Sequence, residues 1–253
     1  MTVLDFSKVF DLADRVAIVT GAAGGIGLAI TAAFAERGIR LALVDRDPAV
    51  RDVAAQYGGE ARGYVADLAD EGDICRTVAQ VAADFGGVDI LVNNAGIGVT
   101  GLAVDVQAAD WDRTMAINLR GQFLFAREVA PHMIRAGWGR VVVTASQAAV
   151  IGIEEHVAYS ASKTGLLGMA RCMAIEWGPS GVTVNTISPT VVETPMAMVG
   201  WSGEKGERAK AAIPTRRFAT TSEVAFTVLF LVSNAAGMIN GANICIDGGY
   251  TIQ

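Results

Sequence analysis

The chain has 253 residues, 52% of them hydrophobic, with a formal net charge of -6 and a sequence pI near 5.0. That balance argues against a nucleic-acid surface or an anionic-membrane surface, because either needs a clustered excess of lysine and arginine. Small molecules are the expected partners.

The mean hydropathy of +0.39 is high for a water-soluble chain, yet no apolar run approaches the roughly 20 residues that cross a bilayer. The most apolar window, Val224 to Val232, reads as a buried helix. The apolar surplus fits a parallel sheet covered on both faces, together with subunit interfaces. Met1 to Asp14 carries acidic residues and no apolar core, so it does not read as a signal peptide, and a cytoplasmic location is expected. Cys75, Cys172 and Cys245 lack C-x-x-C spacing and signal neither a zinc site nor a disulfide framework; each is expected as a small buried hydrophobe. With two histidines far apart in sequence, no metal centre is expected.

The first strong element is a strand over Arg15–Thr20, followed at once by the loop Gly21-Ala-Ala-Gly-Gly-Ile-Gly27 and a helix over Leu28–Arg37 that stops at Gly38. Gly21 and Gly25 let the backbone turn and approach a pyrophosphate, Gly27 lets helix and strand pack closely, and the helix N-terminus offers free N–H groups to an anion. A second strand, Leu41–Val44, ends at Asp45, a little over twenty residues beyond Gly21. A carboxylate there accepts both ribose hydroxyls of an adenosine and repels a 2'-phosphate, which favours NAD over NADP; the alternative is that Asp45 caps a helix near Pro48.

A helix through Gln56 and a third strand over Arg62–Ala66 lead to Asp67-Leu68, where a carboxylate past the strand end could hydrogen-bond an adenine or cap the helix that starts near Glu71. That helix runs to Phe85 and stops at Gly86-Gly87. The strand Val88–Val92 delivers Asn93-Asn-Ala-Gly96, small residues and amides that secure a turn while the backbone passes close to a flat cofactor. A helical pattern from Asp110 to Ala136 has Asn118 in its middle, a poor interior residue whose presence suggests a task.

The strand Gly139–Ala145 ends in Ser146, and a polar-tipped loop, Ile151–His156, precedes the helix bearing Tyr159-Ser-Ala-Ser-Lys163. Residues four apart share a helix face, so the Lys163 ammonium is expected to stabilise the Tyr159 phenolate, lower its pKa and make it a usable acid or base. A strand over Val182–Ile187 runs into Ser188-Pro-Thr-Val-Val-Glu-Thr-Pro195, and Met196–Arg217 mixes apolar, charged and glycine residues like a mobile lid. A helix over Ser222–Ser233 and a strand over Asn243–Asp247 complete the pattern. Alternating strands and helices predict one α/β domain over residues 1–253, with a right-handed, doubly wound parallel sheet and a lid at about 190–217.

In order, Thr20-Gly21 through Gly25-Ile26-Gly27, Asp67, Asn93-Asn94-Ala95-Gly96, Asn118, Ser146, Tyr159-x-x-x-Lys163 and Asp247-Gly248-Gly249 resemble the short-chain dehydrogenase/reductase superfamily along essentially the whole chain. The resemblance implies a Rossmann-type sheet of seven strands, a nicotinamide cofactor, and often a dimer or tetramer built on the two long helices beginning near Asp112 and Val157. It implies Tyr159 as the acid/base, with Lys163 lowering its pKa and gripping the nicotinamide ribose. Ser146 would hold the substrate oxygen, and Asn118 would anchor a water chain from Lys163. Gly21, Gly25, Ile26, Gly27, Asp45, Asp67 and Leu68 are the implied cofactor contacts on the adenosine side. Asn94, Ala95, Gly96, Pro189, Val192 and Thr194 are implied near the nicotinamide, with Tyr159 and Lys163.

Many members carry Pro-Gly where this chain has Pro189-Thr190, and the Pro-Thr-Val-Val form resembles members acting on sugars and polyols. A polyol pocket needs several hydrogen-bonding groups, for which Gln147, Glu154, His156 and, from the lid, Trp201 are candidates beside Ser146 and Tyr159; the alternative for the 154–156 segment is a solvated loop tip. The expected activity is NAD-dependent interconversion of a secondary alcohol of a small polyol and its ketone. A 3-oxoacyl reductase is the nearest rival, and a non-catalytic nucleotide sensor a remoter one.

Overall fold

Seven short strands, most of them rich in valine, isoleucine and leucine, form one parallel sheet in the computed structural model, which describes residues 9–253. In chain order the strands are β1 (Val16–Thr20), β2 (Arg40–Asp45), β3 (Ala61–Val65), β4 (Ile90–Asn93), β5 (Gly139–Thr144), β6 (Val182–Pro189) and β7 (Asn243–Ile246). Side by side they run β3-β2-β1-β4-β5-β6-β7, every neighbouring pair parallel. The winding reverses between β1 and β4. Open α/β sheets bind ligands at that crevice, beyond the carboxyl ends of the strands.

The helices are α1 (Gly25–Ala35), α2 (Val50–Ala55), α3 (Glu71–Phe85), α4 (Ala108–Met115), α5 (Gln122–Ala136), α6 (Val157–Trp177), α7 (Pro195–Gly200), α8 (Gly203–Ala212) and α9 (Thr221–Val232). Successive side chains of a strand point to opposite faces, and in β1, β4, β5 and β6 both faces are buried. Ile18, Leu91, Val141 and Val184 join a core with Phe85, Phe125 and Leu166, whereas Ala17, Val19, Val92 and Val142 join a second core with Phe34 and Val228. The near-continuous apolar strands follow from this double coverage.

Several expectations are corrected. The helical pattern from Asp110 to Ala136 is α4 and α5 joined by a π-helical turn, Ala116–Gly121, that contains Asn118. Met196–Arg217 is not an irregular patchwork: α7 and α8 lie in it, α7 begun by a Thr194 side-chain cap and Pro195. The Val224–Val232 window forms a helix with one face in the core, but Phe226 and Phe230 are exposed. Cys172 and Cys245 are exposed and Cys75 is half-buried, so none is a fully buried hydrophobe. Of the Met1–Asp14 reading, residues 1–8 lie outside the described part. No helix among the described residues is long and apolar enough to cross a membrane.

Candidate active site

The glycine loop leaves β1 at Thr20 and turns at Gly21, whose φ is +67°. A Cβ on Gly21 would lie 2.9 Å from Ala95 Cα, and one on Gly27 would lie 2.0 Å from the Gly21 carbonyl oxygen. Gly21 therefore lets the loop nest against the turn after β4. Gly27 packs α1 onto the loop itself, not onto the strand as expected. Gly25, with φ of +51°, lies under the Thr194 side chain. Gly24 precedes α1 without a side-chain cap, and the space a Cβ would enter there is open. An uncapped helix start reached by open space suits a phosphate group.

Asp45 closes β2 beside this loop. Its Oδ2 accepts from Ala23 N at 3.0 Å and its Oδ1 from Asp47 N at 3.0 Å, while α2 has Ala49 at its cap position, so Asp45 does not cap that helix. Asp67 is exposed past β3, its Oδ1 accepting from Ala69 N at 2.8 Å. The cap of α3 is Asp70, which accepts from Asp73 N, so the capping alternative for Asp67 fails. Leu68 is buried in the core, and its carbonyl abuts Gly121 of the π-turn.

The turn after β4 is bound to the glycine loop by one threonine. Thr20 Oγ1 accepts from Asn94 N at 3.0 Å and Ala95 N at 3.1 Å, and Asn94 Nδ2 donates back to Thr20 O at 3.1 Å. Gly96 follows, and a Cβ there would come within 3.2 Å of Asn118 Oδ1 and 3.4 Å of Lys163 Nζ. Asn118 is fully buried; its Nδ2 donates to Ile97 O and its Oδ1 accepts from Ile97 N, both at 2.8 Å. The amide thus serves a neighbouring segment and does not compete with its own helix. A π-turn at such a position is common in functional sites.

β5 ends at Thr144, and Ser146 stands two residues on, its Oγ accepting from Ala148 N at 3.1 Å. Helix α6 begins at Val157, so Tyr159 and Lys163 lie one turn apart on a single face. Lys163 is buried, its Nζ donating to Thr144 O at 2.7 Å and lying 5.6 Å from the centre of the Tyr159 ring. Burial lowers the Lys163 pKa from 10.5 to about 8. Tyr159 departs from expectation: burial raises its pKa, and a hydrogen bond with Ser146 partly offsets the rise. The Lys163 ammonium is turned to the Thr144 carbonyl, and desolvation of the phenolate dominates.

His156 packs edge-on to Tyr159, ring centres 6.0 Å apart, and its Nδ1 donates to Glu154 O at 2.6 Å. A carbonyl accepts and cannot donate, so the neutral ring carries its proton on Nδ1 and offers Nε2 as an acceptor. The Glu154 side chain is exposed, and the loop is tied to the segment after β4 by Gly101 N donating to Glu155 O at 2.8 Å. Gln147 Oε1 is buried without a partner among the described residues.

Pro189 ends β6 in register with Ile246, and Thr190 N donates to Ile246 O at 3.1 Å. Val192 is buried and bridged to Ala219, which ties together the two ends of the segment carrying α7 and α8. The Trp201 ring is packed against Phe218, 6.1 Å between centres, with Lys205 Nζ 4.9 Å from the ring centre. The aromatic partner of Trp201 thus stands just after α8, at the end of the same segment.

The family model described as enoyl-(acyl carrier protein) reductase matches residues 21–251. The chain belongs to the short-chain dehydrogenase/reductase family. This short-chain dehydrogenase is 48% identical to a D-threitol dehydrogenase of Mycolicibacterium smegmatis, over 96% of this chain and 95% of the relative. It is 43% identical to an NAD-dependent glycerol dehydrogenase of Listeria innocua, over the full length of both. A crystal structure of NAD+-bound xylitol dehydrogenase superposes with a TM-score of 0.90 at 32% identity, covering 94% of this chain and 99% of the other.

Sequence reasoning did not single out Thr144 or Gln122, and named Thr20 only as the start of the glycine-loop motif. Thr20 and Thr144 each stand at the carboxyl end of a parallel strand, where sites form. Gln122 lies four residues after Asn118, on the same helix face, and that spacing was the available signal.

Proposed function

We propose that this short-chain dehydrogenase interconverts a secondary alcohol of a small polyol and the corresponding ketone, with NAD as its cofactor. The observation carrying this reading is the convergence of Ser146, Tyr159 and Lys163 beyond the end of β5, next to the glycine loop. The names borne by the threitol and glycerol relatives support the polyol class. The open, uncapped start of α1 and the Asp45 carboxylate beside it fit the diphosphate and ribose of a dinucleotide. When bound, NAD supplies the hydride acceptor or donor.

The chain's own residues do the rest. Ser146 holds the substrate oxygen, Tyr159 exchanges a proton with it, and Lys163, held on the Thr144 carbonyl one helical turn from Tyr159, grips the ribose. Gln147 Oε1 and His156 Nε2 are both acceptors, so they suit hydroxyl donors further along a polyol. Glu154 and Trp201 border the entrance, and Asn118, Gly96, Pro189, Val192 and Thr194 form the nicotinamide side. A panel of polyols, steroids and acyl-thioester alcohols, followed by NADH formation, tests the substrate class. Turnover of acyl thioesters alone would replace this reading by the acyl reductase one.

Asp45 supports NAD over NADP. Asp45→Ala is expected to reduce the ratio of kcat/KM for NAD to that for NADP by about tenfold or more, since it removes both ribose acceptors and a charge that repels phosphate. An unchanged ratio would assign that role to another group.

The reading extends to a cytoplasmic homo-oligomer, with a tetramer favoured. Adjacent grooves of about 560 and 530 Å³ run along α6, the first against α4 and the π-turn and the second against α5, both lined by Phe123 and Met169, and Phe123 and Ile134 are exposed on α5. Such an apolar strip suits a second copy of the chain.

A further inference from the structure

Gln122 opens α5 directly after the π-turn, and its side chain is fully buried. Its Nε2 donates to Ala95 O at 2.8 Å, and its main-chain oxygen accepts from Asn93 Nδ2 at 2.8 Å. Asn118, four residues earlier, grips Ile97 by both N–H and C=O. Two carboxamides on one helix face therefore hold residues 95 and 97 of an extended segment. Gly96, between them, is left facing Asn118 Oδ1 and Lys163 Nζ.

This arrangement is not the most stable way to fill the space. Gln122 Oε1 and Asn93 Oδ1 are buried without partners among the described residues. A buried acceptor without a donor is destabilising, and an unbranched apolar side chain of the same length would avoid that cost. Such a local violation is expected where function requires the geometry.

We infer that Gln122 is a positioning residue for the cofactor site: through the Ala95 carbonyl it fixes the register in which Gly96 leaves room beside Lys163 for the nicotinamide half of NAD. This rests on the reading of Ala95 and Gly96 as cofactor contacts. Small displacements of such a wall are costly, because binding and hydride transfer both depend on sub-ångström placement.

Gln122→Met keeps the length of the side chain and removes both the donor and the orphan acceptor. It is expected to retain or raise Tm while the dissociation constant for NAD, measured by titration without substrate, rises about tenfold. Hydrogen exchange of the 94–97 amides in the cofactor-free protein is expected to quicken by a similar factor. An NAD constant within about twofold of wild type at intact Tm overturns the inference, whether or not exchange quickens, since the grip would then serve only the turn.

If Gln122→Met fails to fold, Gln122→Glu decides. A protonated carboxyl can donate to Ala95 O and a carboxylate cannot, so NAD binding relative to wild type at the same pH should be near normal at pH 5 and weaken toward pH 7.5. A defect independent of pH overturns the inference. Should the wild-type protein itself not bind NAD, the functional reading fails, and unchanged exchange in the cofactor-free variants would separately refute the grip.

Discussion

Tyr159→Phe is expected to lower kcat by about 10²–10⁴-fold while leaving the NAD dissociation constant within about twofold of wild type. The substitution removes one oxygen and keeps the ring that packs against His156, so the helix and the cofactor cradle should persist. What disappears is the group proposed to exchange a proton with the substrate oxygen. Because burial raises the phenol's pKa, Tyr159 is protonated at neutral pH and ready to donate to a ketone. Oxidation of an alcohol needs the phenolate, so its rate in the wild-type enzyme should climb with pH more steeply than reduction does. Turnover of the Phe variant within tenfold of wild type would remove Tyr159 from the proton path.

That raised pKa shows where a sequence stops being informative. The Tyr159 and Lys163 spacing guarantees a shared helix face, and the structure has it. Where the ammonium points depends on Thr144, nineteen positions upstream on β5, and no local pattern announces that carbonyl. The glycine loop was legible because strand, turn and helix each leave a mark. Even so, the partner of Gly27 proved to be the Gly21 carbonyl, a contact set by three-dimensional packing.

Asn118 stood out as an ill-fitting helix residue, and the ill fit was genuine. The π-turn around it was not legible, because one inserted residue in a helix changes no periodicity that a short window resolves. The lid was misread because Gly200, Gly203 and Gly206 interrupt its helical pattern. The Thr194 cap and Pro195 were the stronger evidence, and they mark the start of α7. Trp201 has the apolar character of a closing residue, yet its ring has a partner in Phe218, seventeen residues on.

Lys163→Met is expected to abolish measurable turnover and, at pH 7, to make the protein more stable. Depressing the Lys163 pKa from 10.5 to about 8 means that holding the buried ammonium costs ~3 kcal/mol at 1.36 kcal/mol per unit. Against this, the variant loses the bond to Thr144 O and leaves that carbonyl unpaired, a loss of about 1–2 kcal/mol. The net gain at pH 7 is therefore about 1–2 kcal/mol. The sign then changes with pH. Between about 8 and 10.5 the folded lysine has released its proton while the unfolded one keeps it, so the unfolded state binds more protons and wild-type stability rises with pH. Methionine has no such dependence, so the variant's advantage should shrink through that interval and reverse at its upper end. Denaturant unfolding of both proteins at pH 7, 9 and 10.5 checks this. A difference that stays constant across the three would mean that Lys163 is not held against its own solvation, and that its burial is not a cost the fold carries for catalysis.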